Sequence, residues 1–265
     1  MADVTARGVR FHVQRLAPAH RIGQPEHPVV FIHGLFMDNL SSFYYTLANP
    51  VARAGIPAIL YDLRGHGLSD RPRTNYGVDD SVADLVALLE ALGVDGPIHL
   101  VGNSYGGTVA LGFAVAYPER VASMVLIEAH VPVPGWTEQM AATITNIGLD
   151  VTAGELGRWI AQHRKDTRLA ALIRDMITRT SVVADILATE PLAEESLRAL
   201  TCPVRAVYGE HSDVLYHARI LDGLLSRFTL TVLPGIDHWV LPKATRAMRD
   251  IVLEWFTTQA PVNAR

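Results

Sequence analysis

Six polar residues in this chain stand just past apolar, strand-like runs: His33, Asp62, Ser104, Glu128, Asp213 and His238. If those runs are parallel strands of one sheet, the loops that follow them open on one edge, and the six side chains can meet there. Serine attacks a carbonyl only when a base takes its proton, and imidazole is the usual base. A carboxylate must then orient the imidazole and stabilise its cationic form. The order Ser104, Asp213, His238 supplies nucleophile, acid and base. Glu128 also follows a strand-like run and is the rival for the acid role.

Ser104 is placed for attack by its neighbours. It sits in Gly102-Asn103-Ser104-Tyr105-Gly106-Gly107, between the apolar run 98–101 and an Ala-rich segment of helical length. Strand, sharp turn, helix is the context of a nucleophile elbow. A serine at the tip of such a turn takes a strained backbone, and residues two positions away must lack a Cβ to let the chain cross. The helix beginning after Ser104 aims free N–H groups at any negative charge formed there.

The elements needed to hold this site alternate along the chain. Residues 8–16 alternate apolar and polar, as a half-exposed strand does. The run 29–32 is continuously apolar, as expected for a strand covered on both faces; 56–61 and 123–127 read as further buried or apolar strands, and strands are also expected at 204–208 and 229–233. Helices are expected at 42–54, at about 80–92 with Asp80 or Ser81 as cap, at 216–228 and at 244–258. The rhythm predicts an α/β fold: a mostly parallel, doubly wound sheet of about eight strands with helices on both faces. Residues 130–200 show no strand pattern and are expected to form helices inserted between two sheet strands. That divides the chain into a core, 1–129 with 201–265, and a helical cap, 130–200.

Composition narrows the classes of function. The chain has 265 residues, 49% of them hydrophobic and 19% charged, which describes a packed globule. Its formal net charge is −4, with no long run of one sign, so nucleic acid is not the expected partner. The single cysteine, Cys202, excludes an internal disulfide and a multi-cysteine metal site. No metal cluster is visible, and no run of about 18 apolar residues predicts a membrane span. The N-terminal stretch has arginines without an uninterrupted apolar core, so a cytoplasmic protein is expected, as monomer or homodimer.

The motifs together resemble the α/β-hydrolase superfamily over essentially the whole length. They are His33-Gly34 after a strand, Asp62-x-Arg64-Gly65-His66-Gly67-x-Ser69, the elbow, Gly209-Glu210-x-x-Asp213, and His238-Trp239. The resemblance implies Ser104 as nucleophile, His238 as base, Asp213 as acid, and an oxyanion hole from the Leu35 and Tyr105 amides. It also implies a helical cap that walls the substrate pocket. Asp237 departs from the glycine often found before the catalytic histidine. Asn103 and Trp239 are similar to a subgroup of carbon–carbon bond hydrolases of ring-cleavage products, but the loop His33-Gly34-Leu35-Phe36 lacks that subgroup's extra glycines.

The expected function is cofactor-independent hydrolysis of an ester, thioester or lactone of an apolar small-molecule acyl substrate, through an acyl-enzyme on Ser104. Asn103, Phe36, Trp136, Met140, Trp159 and Trp239 are the candidate substrate contacts. Alternatives on the same residues are carbon–carbon cleavage of a diketo-type substrate, acyl transfer or release of a carrier-bound acyl chain, and a ligand receptor that retains the triad. Other prominent residues have structural readings. His33 and His66 are expected to be loop hydrogen-bonders, Asp62 and Arg64 a loop-fixing pair, and His130, His163, His211 and His217 surface or cap residues.

Overall fold

A computed structural model describes residues 2–19, 27–153 and 164–258. Its centre is an eight-stranded sheet in the order β1-β2-β4-β3-β5-β6-β7-β8. The strands are β1 (Ala2–Ala6), β2 (Val9–Leu16), β3 (Val29–Ile32), β4 (Ala58–Tyr61), β5 (Ile98–Asn103), β6 (Val121–Ile127), β7 (Val204–Gly209) and β8 (Phe228–Leu233). From β4 to β8 across the sheet all pairings are parallel, while β1 and β2 run antiparallel. Strand β1 was not anticipated. It pairs with β2 through a tight turn at Arg7 and Gly8, both at positive φ (49° and 74°), the geometry of a two-residue hairpin.

Alternation along each strand divides the core in two. Val30, Ile32, Leu100, Met124, Leu126 and Ala206 face the helices Val78–Ala91, Tyr105–Ala116 and Leu215–Leu224. Val29, Phe31, Val101, Val125, Ile127 and Val207 face the segment 41–53 and the helix Thr245–Thr258. The central strands β3, β4 and β6 are covered on both faces and almost wholly buried, so they carry near-continuous apolar runs, whereas the edge strand β8 has no buried residue. A fully buried side chain of this size contributes about 1.5–3 kcal/mol.

The helices depart from expectation in detail. The segment 42–54 is not one helix: Ser41–Phe43 and Asn49–Arg53 flank a π-turn at Tyr44–Ala48. The helix expected to be capped at Asp80 or Ser81 begins at Val78, because Ser81 N–H already donates to Gly77 O (3.0 Å) inside the first turn. Asp79 and Asp80 then complement the positive end of the helix. Between β6 and β7 the described residues form the helices Trp136–Ala153, Arg164–Arg179, Val182–Leu187 and Glu194–Arg198, with no strand among them. Within the stretch 130–200 expected to be helical, positions 154–163, Trp159 and His163 among them, lie outside the described residues.

The long loop after β4 is held differently from expectation. Arg64 pairs with Asp84 and not with Asp62: its Nε and Nη2 donate to the two carboxylate oxygens at 2.6 Å each, with both side chains buried. Arg7 adds a third donor to Asp84 at 2.9 Å. Asp62 instead accepts from two backbone amides, Leu40 N–H and Leu68 N–H, each at 2.8 Å. The glycine at 67 is required there, since a Cβ would overlap the Asp62 carboxylate.

This arrangement makes a stability prediction. Asp84→Ala leaves the Arg64 guanidinium buried without its bidentate partner and should cost about 3–5 kcal/mol. Urea denaturation of the two proteins measures it. A loss under about 1 kcal/mol, the range of an exposed pair, would show that the ion pair is peripheral to the fold.

Candidate active site

Ser104 stands between β5 and its helix at φ 52°, ψ −119°. Such a conformation costs a non-glycine residue on the order of 1–3 kcal/mol and survives only where its surroundings hold it. The surroundings are backbone. Ser104 N–H donates to Ile127 O (2.8 Å), and Ser104 O accepts from Gly107 N–H (2.9 Å). A Cβ on Gly102 would strike the Gly106 backbone, and one on Gly106 would strike the carbonyls of Ile32 and His33. The two glycines anticipated as steric requirements therefore lie at the closest approaches in the turn.

The loop after β3 faces this turn. His33 Nδ1–H donates to Gly34 O (2.7 Å), and its Nε2 accepts from Leu63 N–H (3.0 Å). His66 repeats the pattern: Nδ1–H donates to Arg64 O (2.9 Å) and Nε2 accepts from Phe36 N–H (2.8 Å). Burial holds both rings below their ordinary pKa, His66 at about 3, so both stay neutral and keep one acceptor nitrogen each. They are structural, as expected. Asp38 Oδ2 takes the Gly34 N–H (3.1 Å) and His66 takes that of Phe36, which leaves Leu35 between two committed amides. Tyr105 is the first residue of its helix, where an N–H has no acceptor within the helix.

A cavity of about 510 Å³ opens over these groups. That volume suits a small organic molecule. Ser104, His238, Leu35, Tyr105, Asn103, Phe36, Met140 and Trp239 all line it. Trp239 is 48% exposed and stands at the rim. Trp136 is not a wall residue. It is 1% exposed and belongs to the main core cluster, and the helix it opens packs against the helices Arg164–Arg179 and Val182–Leu187.

The carboxylate beside His238 is not the expected one. Asp213 was anticipated within hydrogen-bond reach of Nδ1, but its Oδ1 is 3.9 Å away and its side chain is 77% exposed. Glu128 Oε2 lies 3.0 Å from Nδ1, and its side chain is 1% exposed. The reason is the tight turn after β7, where Ser212 N–H bonds back to Gly209 O (3.2 Å). That turn points the Ser212 hydroxyl inward, onto Glu128 Oε2, and leaves Asp213 outside. Gly209 N–H holds the other oxygen of Glu128 at 2.6 Å. Glu128 itself sits at φ 50°, a second strained residue at a strand end.

The His238 ring is turned so that Nδ1, closed off from solvent, approaches Glu128 at ion-pair distance without a directed hydrogen bond. Catalytic hydrogen bonds are often misaligned before substrate is bound and tighten afterwards. Burial lowers the His238 pKa, but the Glu128 carboxylate, with Asp213 and Asp237 behind it, outweighs burial and holds the imidazole above its ordinary value. Asp237 is spent largely on Lys243 (2.6 Å) and the Trp239 N–H (3.1 Å).

Two other histidines correct the sequence reading. His130 and His217 are buried, not surface residues. The His130 ring centroid lies 5.8 Å from that of His238 and 5.6 Å from that of His217, and His130 lines the cavity. Burial pushes His130 to about 3 and His217 to about 4, so both are neutral. The available signal was position: His130 follows β6 by three residues, at the same sheet edge as Glu128. His211 is exposed, as expected.

Comparison with known proteins bears on the fold that carries these residues. Residues 27–149 match the family model described as alpha/beta hydrolase fold. The chain is 40% identical over 111 residues to a non-heme chloroperoxidase of Streptomyces lividans, a stretch covering 40% of this chain and 38% of that protein. The matched stretches span less than half the length of such curated relatives. Among solved structures, a meta-cleavage product hydrolase from Pseudomonas fluorescens IP01 superposes with a TM-score of 0.76 at 23% identity, covering 98% of both chains. An esterase from Exiguobacterium antarcticum does so with a TM-score of 0.76 at 20% identity, covering 97% of this chain and 99% of that one. The described residues contain no helix long and apolar enough to cross a membrane. With its strand order, its elbow and these likenesses, the chain is an α/β-hydrolase-fold protein that resembles the hydrolases of that superfamily.

Proposed function

We propose that this protein is a serine hydrolase of acyl bonds, working through an acyl-enzyme on Ser104 without a cofactor. The observation that carries the reading is Ser104 itself: a strained serine at a helix N-terminus, opening into the same cavity as a histidine whose far nitrogen approaches a buried carboxylate. In this reading His238 takes the Ser104 proton as the hydroxyl attacks the carbonyl carbon. The Leu35 and Tyr105 amides stabilise the oxyanion, each donor typically worth about 2.7–4 kcal/mol. His238 then returns the proton to the leaving group, and water attacks the acyl-enzyme by the same route in reverse.

Glu128 serves as the acid partner in this proposal, in place of Asp213. A buried carboxylate with both oxygens engaged orients an imidazole better than an exposed one, and its field is less screened. Asp213 adds a more distant charge. Carbon–carbon cleavage is the second reading, favoured by Asn103 and Trp239 at the cavity and by the likeness to a meta-cleavage product hydrolase. Both reactions use the same nucleophile and base, and turnover of a vinylogous diketo acid against an aryl ester separates them.

Labelling with a fluorophosphonate followed by peptide mapping should place the adduct on Ser104. Ser104→Ala should abolish labelling and lower kcat for aryl esters on the order of 10⁶-fold with the fold intact. An adduct elsewhere would remove the nucleophile from the account.

The rate of labelling should rise with pH as His238 loses its proton, with a midpoint above the ordinary histidine value of about 6.5. The sign follows from the base being the neutral imidazole. Glu128→Gln removes the charge that raises this pKa, so burial prevails and the midpoint moves down; kcat should fall by about 10⁴-fold. A larger shift from Asp213→Asn would return the acid role to Asp213.

Met140 and Ile144, from the helix Trp136–Ala153, supply apolar wall to the cavity. Met140→Ala should cut kcat/KM for long-chain esters by about 10-fold or more and leave acetyl esters nearly unchanged. Equal losses on both would take Met140 out of the acyl wall.

A further inference from the structure

One stretch of the cavity wall is polar, formed by Asp38, Ser41, Ser42, Thr46 and Asn103. Its hydrogen-bonding capacity is lopsided. The Ser42 hydroxyl donates to Asp38 Oδ1, the Ser41 hydroxyl to Asn39 Oδ1 and the Thr46 hydroxyl to Ser42 O. Asn103 Nδ2 donates to Asp38 Oδ2 at 2.9 Å. The hydroxyl protons are thus committed within the wall, and a single N–H of Asn103 is left to give. Acceptors remain in excess. Asp38 takes three donors, counting Gly34 N–H, against about four lone-pair sites on a carboxylate. Ser42 Oγ and Asn103 Oδ1 add lone pairs.

This wall lies beside the nucleophile. A Cβ built on Gly34 would meet Asp38 Oδ2 at 2.8 Å, Asn103 Nδ2 at 3.4 Å and Ser104 Cβ at 3.5 Å, so these groups surround one point. Asp38 is also the one carboxylate among the described lining residues, which include no lysine or arginine. An acid group seated on this wall would meet the like charge of Asp38 with no lysine or arginine among the described lining residues to offset it.

We propose that this wall is a subsite for a hydrogen-bond donor on the substrate, a hydroxyl or ammonium group carried on the acyl portion within a few atoms of the scissile carbonyl. The proposal rests on the acyl-hydrolase reading and narrows it to hydroxyacyl or aminoacyl esters and lactones, against substrates whose acyl portion bears a carboxylate. Sites built to bond a substrate hydroxyl discriminate against analogues lacking it, because their own polar groups are left unpaired.

The test compares p-nitrophenyl esters of matched length: butyrate, 3-hydroxybutyrate and hemisuccinate. For the native protein, kcat/KM should be about tenfold or more higher for the hydroxy ester than for butyrate, and about tenfold or more lower for the hemisuccinate. Asp38→Asn should bring the three esters together, an effect on ratios that a general loss of structure would not produce. Ser42→Ala should narrow the same ratios if Asp38→Asn does not fold. Equal rates on butyrate and 3-hydroxybutyrate, preference for the hemisuccinate, or ratios unmoved by both substitutions would overturn the subsite. If butyrate is hydrolysed through Ser104 while the ratios are flat, the subsite alone fails. If no ester is turned over, the acyl-hydrolase reading fails and takes the subsite with it.

Discussion

The close crossing of backbone beneath Ser104 is the constraint on which the rest of the site depends. The crossing is possible because Gly102 and Gly106 lack a Cβ where β5, β3 and the following helix meet. It forces Ser104 to positive φ and lifts its hydroxyl out of the sheet edge. It also brings the first turn of the helix alongside the loop after β3. That loop is rigid for a separate reason: His33, His66 and Asp38 each hold one of its backbone groups, and the loop carrying His66 is tied down by Arg64 on Asp84. A serine and a row of amides are thereby fixed relative to each other by two independent sets of contacts. Preorganisation of this kind stabilises developing charge without reorganisation during reaction.

Burial decides which carboxylate governs His238. Two acids follow neighbouring strands, Glu128 after β6 and Asp213 after β7, and both lie near the same ring. The turn after β7 gives the inner place to Ser212, whose hydroxyl joins Gly209 N–H in fixing Glu128. A carboxylate so held is pinned in position, with its charge little screened by water. The neutral His130, its ring centroid 5.8 Å from that of His238, adds bulk and no competing charge.

Much of this was legible in the amino-acid order. Continuous apolar runs marked the strands buried on both faces, and the glycine spacing around Ser104 reported the crossing. His33 and His66 could be read as loop supports from their glycine-rich surroundings. What was not legible depended on partners far apart in sequence. Nothing near Arg64 distinguishes Asp84, nearly two turns into a later helix, from the nearby Asp62. Glu128 and Asp213 carry equal claims by position, and their ranking emerges only when β6 and β7 pair and the following turn closes. The first hairpin did carry a signal, Arg7-Gly8 between short alternating segments, but it is brief and one strand is Ala-rich.

The central claim is that Ser104, the two amides and the Glu128-held imidazole form one catalytic unit. A crystal structure of the protein carrying a phosphonyl group on Ser104 tests it most directly. The account predicts the phosphonyl oxygen about 2.7–3.1 Å from both Leu35 N and Tyr105 N. It also predicts His238 rotated so that Nδ1–H donates to Glu128 Oε2. A phosphonyl oxygen pointing away from both amides, or His238 bonded to Asp213 with Glu128 left to Ser212 and Gly209, would contradict it.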